Sequence, residues 1–159
     1  DRVKDVLEEH GNLEFWSVRM RPAKPLAFGH LDFDKRSDSI PLLGLPGNPV
    51  STFVAFEQFG RPAIRLMMGK AAGERPIVKA TLADSIHNYD GRRVYARVRV
   101  WKDQNRGVYC AETTGSQESN ILTALAYANG LGICPEDITT LGPGDEIEVV
   151  MLDWPEEIL

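Results

Sequence analysis

The sequence predicts an α/β segment followed by a small, mostly antiparallel β domain with one helix. Three observations lead there. Over the first 70 residues, apolar positions at helical spacing alternate with short apolar runs of strand length. Beyond residues 71–76 the hydrophobic period changes to two. Between residues 40 and 56 the chain spells out a strand, a tight turn and a helix in that order.

The elements follow from local pattern. Val3, Val6 and Leu7 share one stripe of an opening helix that Gly11 stops. Leu13 to Met20 and Leu26 to Leu31 read as strands, Asp32 to Asp38 as a polar turn, and Ile40 to Leu45 as a third strand. The helix after the turn buries Val50, Phe53, Val54 and Phe56. Pro62 is expected to kink or break it near Phe59-Gly60, with a second piece from Ala63 to Met68. A parallel sheet ordinarily opens with its central strand, whereas this chain opens on a helix. Residues 1–70 are therefore expected to be the back half of an α/β domain whose front half lies outside this chain.

Residues 71–76 read as a linker, and residues 77–154 as the β domain. Ile77 to Leu82 is a strand. From Arg93 to Trp101 the alternation is clean, with Val94, Ala96, Val98 and Val100 on one face and Arg93, Tyr95, Arg97, Arg99 and Trp101 on the other. Residues 102–107 turn this strand back into Val108 to Thr113, a hairpin. Ser119 or Asn120 can cap a helix from Ile121 to Ala128, which Gly130 closes. Leu131 to Cys134 and Glu146 to Leu152 are the last strands, joined through the Gly142-Pro143-Gly144-Asp145 turn.

Composition narrows the function. With 159 residues, 43% hydrophobic and 26% charged, the chain has the make-up of an ordinary globular protein. No stretch approaches the roughly 20 apolar residues of a membrane span, and no signal peptide opens the chain, so a cytoplasmic location is expected. Cys110 and Cys134 lack C-x-x-C spacing and are expected as reduced thiols, a structural disulfide being the alternative. His10, His30 and His87 show no metal-ligand spacing, so no metal site is expected. A net charge of −5 argues against nucleic acid. The charge is uneven: residues 1–73 hold ten Lys/Arg against nine Asp/Glu, the remainder eight against fourteen. An anionic ligand therefore belongs with the first part.

That part contains Leu45-Pro46-Gly47-Asn48-Pro49-Val50-Ser51. Pro46 restricts one turn position, and Gly47 tolerates positive φ. Asn48 suits the N-cap, where its side-chain oxygen can accept from a first-turn amide. Pro49 suits the first helical position, where an N–H would have no partner. The turn aims unpaired amides and a positive dipole end outward, a ready anion site. A well-capped turn without ligand accounts for the same residues. Arg21 and Lys24, held extended by Pro22 and Pro25, can point toward this turn, and a guanidinium, an ammonium and a helix N-terminus together suit a phosphate or oxyanion.

The string Pro46-Gly47-Asn48-Pro49-Val50-Ser51 resembles the signature of the molybdopterin molybdenumtransferase family, which includes bacterial MoeA and the E domain of gephyrin. Met20 to Gly29 resembles the family's basic-Pro-small-Lys-Pro segment and the strand after it. Thr114-Gly115-Ser116-Gln117-Glu118-Ser119 resembles its Thr-Gly-x-Gln-Gly-Ser loop, with Glu118 in place of the usual glycine. The resemblance reaches to about residue 152. It implies a partial molybdopterin-binding, MogA-like three-layer domain over residues 1–70, followed by the C-terminal β domain. It also implies that Arg21, Lys24, Pro46, Gly47, Asn48, Pro49, Ser51, Arg97 and Ser119 contact substrate, with Arg97 facing the cleft. Arg21 stands where many relatives have lysine.

The activity so implied is insertion of molybdenum from molybdate into adenylylated molybdopterin, with Mg²⁺ assisting and AMP leaving. A homodimer is implied too, and the molybdopterin adenylyltransferase as a partner. No residue here stands out as a general base or nucleophile. The chemistry asks chiefly for positioning and charge stabilisation. This chain alone is expected to be inactive. Two alternatives are a gephyrin-like scaffold that binds peptides and the adenylyltransferase itself, which shares the α/β fold but lacks an appended β domain.

Overall fold

The computed structural model describes residues 2–32, 39–71 and 73–154. Helix α1 (Arg2–His10) runs into β1 (Gly11–Ser17), followed by β2 (Met20–Arg21), β3 (Pro25–Leu31) and β4 (Ile40–Gly44). Strands β1, β3 and β4 form a three-stranded sheet in that order, antiparallel throughout. This corrects the parallel arrangement expected of the first part. The reason is connection length: residues 18–24 and 32–39 are too few for the helical crossover a parallel pair needs. Leu7 of α1 is fully buried, and a Cβ on Gly29 would stand 2.1 Å from the Asn12 carbonyl oxygen, so β1 and β3 pair closely only because Gly29 has none. Most of the expected polar turn, residues 33–38, and residue 72 of the linker lie outside the described residues.

After β4 come α2 (Pro49–Ala55), a π-helical turn (Phe56–Gly60) and α3 (Arg61–Met67). The disturbance expected near Phe59-Gly60 takes the form of this π-helical turn, and the second piece, α3, follows it without a gap. The Arg61 N–H reaches back five residues to the Phe56 carbonyl, and Pro62 then falls in the first turn of α3, where no N–H is required. One extra residue in the turn absorbs the proline and the rod continues.

The second part consists of β5 (Ile77–Leu82), β6 (Ile86–His87), β7 (Arg93–Lys102), β8 (Tyr109–Thr113), α4 (Leu122–Ala126), β9 (Gly130–Cys134), β10 (Thr140–Leu141) and β11 (Glu146–Met151). Its main sheet has the order β2-β7-β8-β5-β11-β9, and β9 also pairs with β7, which closes a small barrel. Pairings are antiparallel except β5 with β8 and β2 with β7. Ala80, Leu82, Val98, Ala111 and Val149 fill the barrel, each 2% exposed or less. The helix is shorter than the pattern suggested, and Ile121, not Ser119 or Asn120, holds its N-cap position without a side-chain bond.

The two parts share a core. Met20, Ala23, Leu26, Val54 and Ala55 from the first pack with Leu131 and Val150 from the second. The stretch Leu13 to Met20 is not one strand: the chain leaves the first sheet after Ser17, pairs Met20-Arg21 with Arg93-Val94 of β7, and returns at Pro25. The Val18 N–H, donating to the Lys24 carbonyl at 3.0 Å, closes this excursion. Arg75, near the end of the expected linker, is clipped down as well. Arg75 donates to the Leu152 carbonyl at 2.9 Å and to the buried Glu57 carboxylate at 3.0 Å, and Arg61 meets the same carboxylate at 3.1 Å.

Candidate anion-binding cleft

Five segments meet at an open cleft of about 870 Å³: the Arg21–Pro25 excursion, the Pro46–Ser51 turn, Ser85 to Tyr89 in and around β6, Arg92 and Val94 at the start of β7, and residues 117–120 ahead of α4. Arg21, Lys24, Pro46, Gly47, Asn48, Ser51 and Ser119 all line it. Pro49 and Arg97 do not.

The excursion places its cations by an unusual backbone. Ala23 has φ 76°, a conformation L-residues rarely adopt, and is 4% exposed in the shared core. With Ala23 turned inward, Arg21 and Lys24 on either side both border the cleft. The Arg21 guanidinium donates to the His87 carbonyl at 2.5 Å, lies 4.0 Å from Asp90 and sits 5.8 Å from the centre of the Tyr89 ring. Lys24 is exposed, and among the described residues nothing pairs with its ammonium.

At the turn, Asn48 is extended (φ −74°, ψ 126°) and Pro49 opens the helix as expected. The Asn48 side chain does not cap it. Its Nδ2 donates instead to Ser119 Oγ at 3.0 Å, in the second part of the chain. The turn is closed from within by Thr52, whose hydroxyl donates to the Pro46 carbonyl and, at 3.0 Å, to that of Asn48.

Arg97 is 1% exposed, not on an open strand face. It fastens the 114–118 loop from behind. Its guanidinium donates to the carbonyls of Ser116 and Glu118, both at 3.3 Å, and its N–H donates to Gln117 Oε1 at 2.8 Å. No carboxylate among the described residues pairs with it, and its Nε has no partner. Burial first, and the charge of Arg21 second, push its pKa down to about 10, so it stays charged at neutral pH. The alternation along β7 put Arg97 on a polar face correctly but could not show that the loop folds over that face.

Sequence reasoning missed the opposite wall. Ser85, His87, Tyr89 and Arg92 line the cleft. Arg92 donates to the Met20 carbonyl at 3.2 Å and binds the Asp90 carboxylate, which holds that carboxyl below its ordinary value of 3.8. The one available signal was an aromatic residue, Tyr89, in the polar stretch 88–92. Arg21, Lys24 and Arg92 face a single lining acid, Glu118, so the cleft favours anions. Among the described residues no three His, Cys, Asp or Glu side chains converge to hold a metal ion. Cys110 and Cys134 are free thiols. Among the described residues no helix is long and apolar enough to cross a membrane.

Comparison with known proteins matches both parts of the chain. Residues 1–66 match the family described as a probable molybdopterin binding domain, and residues 79–152 the MoeA C-terminal region (domain IV). Molybdopterin molybdenumtransferase 1 of Mycobacterium tuberculosis is 36% identical over 155 residues, covering 96% of this chain and 35% of that protein. Gephyrin of Dictyostelium discoideum is 32% identical over 168 residues, covering 96% and 23%. A MoeA protein of Pyrococcus horikoshii superimposes with a TM-score of 0.74 at 24% identity, over 96% of this chain and 35% of that one, which speaks for the fold. A molybdenum cofactor biosynthesis protein of Pyrococcus furiosus gives 0.67 at 25% identity, over 94% and 52%. This chain thus spans about a third of the length of the molybdenumtransferase it matches. Two adjoining family matches in one order, with a relative 36% identical across nearly all of the chain, place it in the MoeA family of molybdopterin molybdenumtransferases.

Proposed function

We propose that this chain supplies the anion-binding side of a site at which molybdate and adenylylated molybdopterin react, molybdenum passing to the dithiolene and AMP leaving. The observation that carries this is the convergence of Lys24, Arg21 and the Pro46–Ser51 turn on one cleft, with Ser119 hydrogen-bonded to Asn48 of that turn. Lys24, which pairs with nothing among the described residues, takes a phosphate or oxyanion oxygen. Arg21, already bound to the His87 carbonyl, adds charge at a fixed position. Ser51 and Ser119 offer hydroxyls, and the rod beginning at Pro49 adds its positive end. Gly47 has nothing within 4 Å of where a Cβ would stand, so the turn backbone is open to a ligand. Pro46 and Pro49 stiffen that turn, and Arg97 keeps the 114–118 loop in place behind it. These groups position the reactants and stabilise charge; none acts as nucleophile or base.

Mg²⁺ is not well served by the residues present. Among the described residues Glu118 is the one carboxylate on the lining, and Asp90 is engaged by Arg92, so these side chains do not form a Mg²⁺ site. We further propose that residues 1–70 belong to a three-layer molybdopterin-binding domain, residues 71–76 link it to a β domain over 77–154, and the whole protein acts as a cytoplasmic homodimer, with the adenylyltransferase as donor of its substrate. The gephyrin match keeps a scaffold role as the second reading.

The test is transfer of molybdenum. The whole protein, given adenylylated molybdopterin, molybdate and Mg²⁺, should release AMP in step with molybdenum incorporation, and Lys24→Gln should slow both. Hydrolysis or release of AMP without molybdenum uptake would remove the assignment.

A further inference from the structure

We infer that the cleft carries a stacking platform, made by His87 and Tyr89, for a planar heteroaromatic ring borne on a phosphate. The inference rests on the reading of the cleft as a phosphate site and deepens it. The two rings stack on each other, 24° apart with centroids 5.7 Å from one another, and both border the cleft. Tyr89 is 81% exposed, so most of a large ring surface stands in water beside three cations.

The pair is held in place before any ligand arrives. His87 lies in β6, paired with Thr140 of β10, and its Nδ1 meets the Thr140 hydroxyl at 3.3 Å. Its carbonyl accepts from Arg21, whose guanidinium also sits over the Tyr89 ring at 5.8 Å. One arginine therefore fixes both the platform and the cationic wall. A ligand with its phosphate toward Lys24 and its ring on Tyr89 would meet surfaces already set, with little ordering entropy to lose. Stacking on an aromatic side chain tolerates any flat ring, so a purine and a pterin are equally served by this chemistry.

Binding to the full chain by calorimetry separates the outcomes, with AMP and 6-hydroxymethylpterin phosphate as the ring-bearing probes and ribose 5-phosphate as the ringless one. A ring-bearing probe should bind about tenfold more tightly than ribose 5-phosphate. Tyr89→Ala should erase that advantage and leave ribose 5-phosphate unchanged, while Tyr89→Phe should keep it. Whichever of the two rings shows the dependence on Tyr89 is the one the platform takes. Equal binding of all three, unmoved by Tyr89→Ala, would overturn the platform and leave the phosphate cleft standing. No binding of any phosphate would overturn both. Tyr89 is exposed, so Tyr89→Ala should fold normally, and circular dichroism checks this.

Discussion

Asn48 and Ser119, 71 positions apart, share a hydrogen bond of 3.0 Å that joins the start of helix α2 to the loop ahead of α4. The bond joins the first part of the chain to the second on the lining of the cleft. It makes two local motifs, a proline-flanked turn and a Thr-Gly-x-Gln loop, adjoining walls of one site. Asn48→Ala and Ser119→Ala should each lower stability by about 1 kcal/mol or less, since the bond is partly solvent-accessible. A double-mutant cycle in urea should return a coupling of roughly 0.5 kcal/mol. Strictly additive effects would mean that the walls are held together by the shared core alone.

Among the described residues nothing pairs with Lys24, so its removal should touch binding and not folding. Lys24→Gln should leave the urea midpoint unchanged and weaken phosphate or AMP binding about tenfold, the worth of one charge-assisted contact. Arg21→Gln should do both, because it also releases the His87 carbonyl. A shared loss of stability in the two variants would contradict the separate roles.

Arg97 is a buried charge without a carboxylate partner, an arrangement that costs stability. Arg97→Met keeps most of the stem volume and removes the charge. Its thermal stability should equal or exceed that of the natural chain by up to about 2 kcal/mol, while anion binding falls as the 114–118 loop loses its two guanidinium bonds. Loss of stability together with unchanged binding would show the residue to be purely structural.

Glu57, 7% exposed, gathers Arg61 and Arg75 around one carboxylate and thereby pins Arg75 against the helical rod. Glu57→Ala leaves two partly buried guanidinium groups without that acceptor. Unfolding in urea should reveal a loss of about 3 kcal/mol. Phosphate affinity, measured where the variant is folded, should stay the same.

Asp90 gives a pH signature. Arg92 holds its carboxyl below the ordinary value of 3.8, so the folded state binds the proton less readily than the unfolded one. Its contribution is complete above that value and disappears as pH falls through the lowered one. The stability difference between the natural chain and Asp90→Asn should therefore be constant from pH 5 to 7 and vanish in strong acid. A difference that grows on acidification would reverse the sign and discard the Arg92 pairing.

Much of this molecule could be read locally. The passage from Ile40 through Pro49 into a helix, the alternation of β7 and its hairpin with β8, and the helix stop at Gly11 depend on residues within a few positions of each other. The chain pattern registers such things directly. The same holds for the cationic character of Arg21 and Lys24 and for the motif by which the family was recognised. What needed the folded molecule were the meetings between distant segments. Periodicity says which side chains share a face, not which faces touch. That is why Arg97 was placed on the right side of β7 yet expected in the cleft, and why Asn48 was read as a cap when its amide had Ser119 to bond. The wall of His87, Tyr89 and Arg92 carries no local signature beyond one aromatic residue, Tyr89, in a polar stretch. It exists because Met20 and Arg21 leave their own sheet to pair with β7, a choice made by burial of Met20, Ala23 and Leu26 against Leu131 and Val150. The sequence by itself determined the parts and their charge. Packing between its two halves, whose free energy depends on contacts more than a hundred residues apart, decided where the site would be.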